Sequence, residues 1–288
     1  MNKLLSGYSG HIKEEVARLR ILVCVKQVPD TAEIRIDPVT NSLIRAGVPS
    51  ILNPFDGYAL EAAARIRDRF PDTEIVVVSM GPEQASAALR ECLSIAADRA
   101  YLVSGRIFGG SDTLATSYIL SEAIRTIEER EGAFDAVFCG KQAIDGDTAQ
   151  VGPEIAEHLQ YPQVTYGLEA MPEGSELRVR RETETGYEIM AVRMPCVVTF
   201  TKPVWEVRFP TIRRKLEAEK AEVILLGEDA FPGIDRSAIG LSGSPTRVKK
   251  TFVPVRKKEC RMLAGESTED SVRQLIAELA GRGIGGEG

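Results

Sequence analysis

The feature that most constrains the fold is residues 134–153, where a short apolar run leads through a polar loop into the start of a helix. Residues 134–139 have the composition of a strand that is buried on both faces of a parallel sheet. Because proline is tolerated only in the first turn of a helix, Pro153 predicts that a helix begins between Gln150 and Gly152. The stretch therefore predicts one strand–loop–helix unit of an open α/β sheet.

The loop between this strand and this helix predicts a phosphate site. Free N–H groups at the helix start would face the region beyond the carboxyl end of the strand, where phosphates bind in open α/β sheets. Gly146 would let the backbone approach a ligand closely, with dihedral angles that other residues avoid. The polar side chains available for hydrogen bonds are Lys141, Gln142, Asp145, Asp147, Thr148 and Gln150. Ordinary turn chemistry is the alternative explanation for such a loop.

Strand and helix patterns alternate on the N-terminal side of this unit, which predicts an α/β fold with a doubly wound, mostly parallel sheet. The predicted strands are residues 21–28, 74–80, 100–103 and 134–139, and the predicted helices are residues 58–70, 82–96 and 113–130. Residues 33–37 and 42–44 alternate with a period of two, which indicates a small hairpin inserted before the first helix.

The alternation changes after the loop. Residues 176–181 and 187–192 predict an antiparallel hairpin, and residues 195–200 predict a return to a buried strand. Residues 211–222 predict a charged helix. Residues 227–254 show little periodicity, and so long a stretch inside a compact domain usually binds something or is disordered.

The chain closes with a helix pattern over residues 267–279. Its apolar residues Val272, Leu275, Ile276 and Leu279 share one face. This face either docks on the chain itself or covers a partner.

Composition excludes several classes of function. No apolar run approaches the roughly 18–20 residues of a membrane helix, and the N-terminus lacks a signal-peptide pattern, so we expect a cytoplasmic protein. The net charge of −6 argues against a nucleic-acid partner. The five cysteines are scattered singly, which indicates reduced structural thiols rather than an iron–sulfur or zinc site.

Side chains for catalysis are sparse. The two histidines, His11 and His158, belong to no Ser-His-Asp or Cys-His pattern, and the sequence has no P-loop motif. In a loop that faces phosphates, we expect Asp145 and Asp147 to accept hydrogen bonds from backbone or ribose rather than to act as an acid–base pair. The sequence therefore predicts a nucleotide site without catalytic side chains.

Residues 140–153, GKQAIDGDTAQVGP, closely resemble the nucleotide loop of the β subunit of electron transfer flavoproteins. Further motifs follow in that family's order and spacing at residues 25–31, 37–40, 51–56, 78–81 and 195–199. The resemblance covers residues 20–223 strongly and the C-terminal arm loosely. Because several ordered motifs are far more specific than one, the sequence is identified as resembling this family.

The resemblance implies a Rossmann-like, adenine-nucleotide-binding domain over residues 20–226. Residues 1–19 would be an N-terminal extension, and residues 227–288 would form an arm and helix that contact the α subunit, which carries one FAD. Chemistry in such a complex belongs to the flavin, and the protein sets distance and potential.

Two branches of the family leave the ligand of the β site open. In simple members the site holds AMP as a structural ligand. In the bifurcating members of anaerobes it holds a second FAD, and electrons from NADH are divided between ferredoxin or flavodoxin and an acyl-CoA dehydrogenase. Residues 146–153 and the motifs at 28–31 and 37–40 resemble the bifurcating branch, so we expect FAD.

The resemblance also implies which residues contact the ligand. The phosphates would lie against Gly140, Lys141, Gln142, Ala143, Ile144, Asp145, Gly146, Asp147, Thr148, Ala149, Gln150 and Val151. Within that set, Thr148 and Gln150 would make the direct contacts. The adenosine would lie against Cys24, Lys26, Asn53, Pro54, Phe55, Asp56 and Met80. The alternatives are a solvated charge for Lys26 and core packing for Phe55.

One segment departs from the family. Members often carry Asn-Glu-Pro-Arg in the loop that recognises the dehydrogenase, whereas residues 202–208 here are KPVWEVR, which leaves the dehydrogenase partner open. Trp205, the only tryptophan, is either an exposed interface anchor or a buried packing residue. A stand-alone adenine-nucleotide sensor or ATP-using α/β protein is the alternative class, since such folds bind AMP and ATP with similar loops.

Overall fold

A computed structural model describes residues 18–30, 49–246, 249 and 260–284. The hairpin predicted at residues 33–37 and 42–44 lies outside the described residues, as does nearly all of the predicted N-terminal extension.

Most strands in the described part of the chain belong to one twisted sheet. In chain order the strands are β1 Arg20–Cys24, β2 Gln27–Pro29, β3 Ser50–Leu52, β4 Glu74–Met80, β5 Arg99–Val103, β6 Ala136–Gly140, β7 Gln163–Glu173, β8 Glu176–Thr183, β9 Gly186–Arg193, β10 Cys196–Phe200 and β11 Val223–Leu226. Nine of them form the order β11-β5-β4-β1-β6-β10-β7-β8-β9, while β2 and β3 pair separately as an antiparallel ribbon. The pairings from β11 to β7 are parallel, and those of β8 are antiparallel.

Helices cover both faces of this sheet. In chain order, the α-helices of the described residues are α1 Pro54–Arg69, α2 Ser86–Ile95, α3 Thr113–Glu131, α4 Val151–Leu159, α5 Ile212–Lys220, α6 Gly240–Gly243 and α7 Thr268–Gly281. Successive side chains of a strand point to opposite faces, so Ile21 and Val23 pack with α1 and α2 while Leu22 and Cys24 pack with α3 and α4. The predicted doubly wound sheet is confirmed.

The strand–loop–helix unit predicted over residues 134–153 is present. In β6, Val137 and Phe138 are completely buried and belong to the cores on opposite faces, which confirms the prediction of a strand buried on both sides. Helix α4 begins at Val151 with Pro153 in its first turn, also as predicted.

The continuous strand predicted over residues 21–28 is wrong, because the chain leaves the sheet after Cys24. The backbone groups of Lys26 are taken by the start of α1: its N–H donates to Asp56 Oδ2 at 2.7 Å, and its carbonyl accepts from the Asn53 N–H at 2.9 Å. Residues 27–29 then pair with β3 instead of a strand of the main sheet.

Two strands of the main sheet were missed. Strand β7 contains Gly167 and Pro172, residue types that weaken a strand prediction, yet its start pairs in parallel with β10 and the rest pairs antiparallel with β8. Strand β11 follows α5 after a break at Ala221 and extends the sheet beyond β5.

Part of the stretch predicted to lack periodicity packs on the sheet. Phe231 and Ile239 are buried on the face of α3 and α4, and the Phe231 ring meets the Phe108 ring edge-on at 5.8 Å. Helix α7, by contrast, has no buried residue.

The connections place a crevice at the centre of the sheet. Strands β1 and β6 are neighbours, but the helices that follow them, α1 and α4, lie on opposite faces. In open α/β sheets, ligands bind at the carboxyl ends of strands where the winding reverses in this way.

Candidate nucleotide site

A cavity of about 890 Å³ lies at this crevice. Its floor is formed by the last residues of four parallel strands, namely Cys24, Met80, Val103 and Gly140. Sequence reasoning predicted three of these residues to be ligand contacts. They come together because the carboxyl ends of parallel strands meet at the same edge of the sheet.

The start of α4 supplies open N–H groups to the cavity. No side chain caps this helix, and Gln150, Val151 and Gly152 all line the cavity. The first N–H groups of a helix have no partner within it, and they favour an anion. Gly152 lets the start of α4 pack closely against β10, because a Cβ there would lie 2.5 Å from Thr199 Cγ2.

The backbone of the loop departs from expectation at Gly146. A Cβ on Gly146 would meet nothing within 4 Å, and its φ angle lies outside the left-handed region, so the predicted need for glycine dihedrals there is wrong. Asp147 and Ala149 instead hold left-handed conformations, each with φ of 54°. Non-glycine residues in this region cost free energy and concentrate at functional sites.

The side chain of Asn53 holds the backbone of the loop after β6 in place. The completely buried side chain donates to Gln142 O at 2.9 Å and to Asp56 Oδ1 at 2.9 Å, and it accepts from the Ile144 N–H at 3.2 Å. These bonds use both donors of the amide and tie the loop to the start of α1.

Asp56 joins three elements at the cavity floor. Burial raises the pKa of its carboxyl group to about 7, against hydrogen bonds from Asn53 and from the backbone N–H groups of Lys26 and Gly140, which lower it. Gly140 must lack a side chain here, because a Cβ would overlap Asp56 Oδ1.

Lys26 bridges the end of β1 to the loop. Its Nζ lies 2.7 Å from Asp145 Oδ1, and its side chain is 48% exposed. Lys26 is therefore an ion-paired residue at the cavity rather than an isolated solvated charge.

Fourteen of the nineteen predicted ligand residues line the cavity. They are Cys24, Lys26, Asp56, Met80, Gly140, Lys141, Gln142, Ala143, Asp145, Gly146, Thr148, Ala149, Gln150 and Val151. The other five, Asn53, Pro54, Phe55, Ile144 and Asp147, lie outside its lining. Phe55 packs edge-on against Tyr58 and lies beneath the Lys141 ammonium at 6.0 Å. Asp147 accepts a hydrogen bond from Gln142 Nε2 at 2.6 Å and so shapes the loop.

A second wall of the cavity was missed. It follows β4 and β5 and includes Gly81, Gln84, Ser104, Arg106, Thr113 and Thr116. The sequence signal for this wall was the glycine-rich run at residues 105–110, which is followed by Asp112, the N-cap of α3. The cap accepts the Ala115 N–H at 3.1 Å and the Thr246 N–H at 2.9 Å, which ties α3 to the chain after α6.

Two buried thiols also line the floor. Cys24 and Cys139 are register partners on β1 and β6, and both are free cysteines. Hydrogen bonding to Cys24 and burial raise the pKa of the Cys139 thiol well above its ordinary value.

Within the described residues, no group of three or more His, Cys, Asp or Glu side chains is placed to hold a metal ion.

Among the described helices, none combines the length and the apolar character that crossing a membrane requires.

Comparison with known proteins agrees with the geometry. The Electron transfer flavoprotein domain matches residues 40–230. The chain is 48% identical over 270 residues to the electron transfer flavoprotein subunit beta of Megasphaera elsdenii, covering 92% of this chain and 100% of the relative. It is 47% identical over 267 residues to the subunit of the same name from Thermoanaerobacterium thermosaccharolyticum, with 92% and 100% covered.

A third relative is named for a larger complex. The caffeyl-CoA reductase-Etf complex subunit CarD of Acetobacterium woodii is 44% identical over 261 residues, with 91% of this chain and 98% of the relative covered. These matches favour electron transfer over a stand-alone nucleotide sensor. The family match over residues 40–230 and the relatives covered along their whole length establish that the chain belongs to the electron transfer flavoprotein family, among its β subunits.

Proposed function

We propose that the cavity holds FAD and that this β subunit, paired with an α subunit, works in flavin-based electron bifurcation from NADH. The observation that carries the proposal is the two-walled cavity of about 890 Å³. One wall of the cavity is formed by the loop after β6 and the start of α4, and its backbone N–H groups and polar side chains would suffice for a mononucleotide. The second wall extends the site for the other half of a dinucleotide, within the size range of pockets that enclose whole small-molecule ligands.

The residues present fit a diphosphate ligand. The open N–H groups at the start of α4, together with Thr148 and Gln150, would hold one phosphate. Arg106 and the hydroxyls of Thr113 and Thr116 line the opposite wall and would face the rest of the ligand. When bound, FAD would supply the one- and two-electron chemistry that these side chains lack.

An apolar surface after β10 suits a dehydrogenase partner. Val204, Phe209, Ile212 and Leu216 are exposed by 85%, 90%, 81% and 56% along residues 204–216. Large exposed apolar patches of this kind mark interaction sites. Trp205 is half-buried and packs on the core, so Phe209 rather than Trp205 is the exposed anchor of this surface. The relative named for a caffeyl-CoA reductase complex supports an acyl-CoA dehydrogenase or related enzyme as the partner.

Nucleotide content tests the ligand. The purified heterodimer is expected to contain two FAD molecules, one of them in this subunit. Gly146→Arg should empty the β site and leave the α-subunit FAD in place. Gly146→Ala is the matched control, because its Cβ meets no protein atom within 4 Å. If this variant also lost the ligand, the loss would show that residue 146 contacts the ligand directly.

A ratio of one FAD to one AMP would end the FAD proposal and leave a simple electron carrier.

Bifurcation is tested by NADH oxidation. It should be slow with either acceptor alone, and fast when ferredoxin or flavodoxin and the acyl-CoA dehydrogenase with its substrate are present together. Fast oxidation with a single acceptor would contradict coupling.

A further inference from the structure

Residues 202–210 form a segment without regular secondary structure that packs against helix α1. Its inner side chains contact that helix: the Trp205 ring lies beneath the Arg65 guanidinium at 5.2 Å, and Val207 Cγ2 lies 3.8 Å from the position of a Cβ on Gly57. Its outer side chains include Val204 and Phe209, which are 85% and 90% exposed. Val204 and Phe209 therefore form an apolar edge toward solvent, flanked by the exposed side chains of Lys202 and Glu206, while the other edge of the segment rests on α1.

Arg208 makes the polar contacts between the segment and α1. Its Nε and Nη2 lie 2.8 Å and 3.0 Å from the two carboxylate oxygens of Glu61, and its backbone N–H donates to Glu61 at 3.2 Å. Its Nη1 and Nη2 also donate to the carboxylate of Asp68 at 3.1 Å and 2.7 Å. Glu61 and Asp68, which lie about two turns apart on the same face of α1, therefore each bind the one guanidinium group through two hydrogen bonds.

This arrangement differs from an ordinary surface ion pair. The Glu61 side chain is only 4% exposed, so its charge depends on Arg208 for compensation. Among the described residues, no backbone-to-backbone hydrogen bond involves residues 202–210; the nearest ones are made by Thr201 and Thr211. The position of the segment therefore depends on side-chain contacts, which are those of Trp205, Val207 and Arg208.

The same helix holds the nucleotide loop. At the start of α1, Asn53 and Asp56 bind the loop and the ends of β1 and β6, whereas Glu61 and Asp68 lie further along the helix. One rigid element thus carries both the cavity and the apolar edge.

We propose that Glu61, Arg208 and Asp68 form a clamp by which α1 holds residues 202–210 in a fixed position relative to the nucleotide cavity, and that this position sets the affinity for the partner dehydrogenase. The second part rests on the proposed function, in which this edge meets the dehydrogenase. Arg208 is a positioning residue in this scheme: a segment ordered before binding loses less conformational freedom on association than a loose one.

The clamp is tested in the heterodimer with Arg208→Lys, which keeps the charge but loses the planar fork, and with Arg208→Met, which loses both. Arg125→Lys is the matched control, because Arg125 is 44% exposed, pairs with Glu122 on its own helix α3, and that helix packs on the opposite face of the sheet from α1. Hydrogen exchange of residues 202–210 should be faster in both Arg208 variants and unchanged in the control.

Electron transfer from an acyl-CoA dehydrogenase reduced by its substrate gives the functional readout. The KM for the heterodimer should rise roughly three- to tenfold in Arg208→Met, while kcat and flavin content stay at the wild-type values. Arg208→Lys should lie between Arg208→Met and wild type. A variant that only weakened the fold would not separate KM from kcat.

The outcomes distinguish the two parts of the inference. Unchanged hydrogen exchange in both Arg208 variants would show that the clamp does not hold the segment. Faster exchange with an unchanged KM would show that the position does not set affinity. A wild-type heterodimer that exchanges no electrons with the dehydrogenase would overturn the proposed function, while the exchange experiment would still decide the clamp. If Arg208→Met does not fold, Arg208→Lys decides both readouts.

Discussion

Asn53→Asp is the sharpest test of how the nucleotide loop is held, because it changes hydrogen bonding without changing shape. The amide nitrogen of Asn53 donates to Gln142 O and to Asp56 Oδ1, both at 2.9 Å. A carboxylate oxygen in its place would face two acceptors. The contact with the Ile144 N–H would survive, because Oδ1 accepts that bond.

The magnitude follows from the bonds that are lost. A neutral hydrogen bond contributes about 1 kcal/mol and one to a charged group about 1.5–3 kcal/mol, so the loss is about 3 kcal/mol. For a chain of this size, that lowers the Tm by roughly 6–12 °C. Nucleotide affinity should fall as well, because the backbone of the loop is released from the start of α1.

The effect should depend on pH. Burial already raises the pKa of Asp56 to about 7, and a second carboxylate beside it raises the pKa of the pair further. The native variant therefore keeps a proton that the unfolded chain releases above pH 4–5, and its free energy of unfolding decreases as the pH rises. The gap in Tm between variant and wild type should be wider at pH 8 than at pH 6.

Thermal unfolding of the heterodimer at these two pH values is the assay. Gln160→Glu is the matched control, because it makes the same amide-to-carboxylate change outside the cavity, where Gln160 Nε2 makes an exposed hydrogen bond to Glu157 O at 2.6 Å. This control should change stability by about 1 kcal/mol or less. If Asn53→Asp had the same Tm as the wild type at both pH values, Asn53 would not be holding the loop.

Two other predictions concern packing and assembly. Gly152→Ala should destabilise the subunit by about 1–3 kcal/mol, since its Cβ would press on Thr199 Cγ2. Adding Thr199→Ser should restore much of that loss, because it removes the methyl group and keeps the hydroxyl that accepts the Tyr166 N–H. Urea unfolding measures both variants, and a double variant as unstable as Gly152→Ala would refute the contact. Truncation after Thr246 should leave the sheet folded but weaken association with the α subunit, because it removes α7. In that helix Val272, Leu275 and Ile276 are 48%, 46% and 60% exposed. Undiminished heterodimer formation in size-exclusion chromatography would contradict a role of α7 in assembly.

Several features of the fold could be predicted from the sequence because each depends on neighbours in the chain. The apolar run before Gly140 and the position of Pro153 predicted β6 and the start of α4, since burial pattern and proline geometry are local properties. The loop at residues 140–151 carried enough ordered motif to indicate a nucleotide site and the family. Strand β7 escaped because its glycine and proline weaken the local pattern, and its place is fixed by pairing with two distant strands.

The tertiary structure decided the roles of individual side chains. The family resemblance implied that Asn53 contacts the ligand, but in the fold its amide binds the loop backbone, because α1 starts directly beneath residues 142–144. The glycine-like backbone was expected at Gly146 and is found at Asp147 and Ala149. The wall at Arg106 and the grip of α1 on Arg208 join residues far apart in the chain. Local patterns specify which elements form, whereas sheet order and helix packing determine which side chains meet, and only folding establishes those distances.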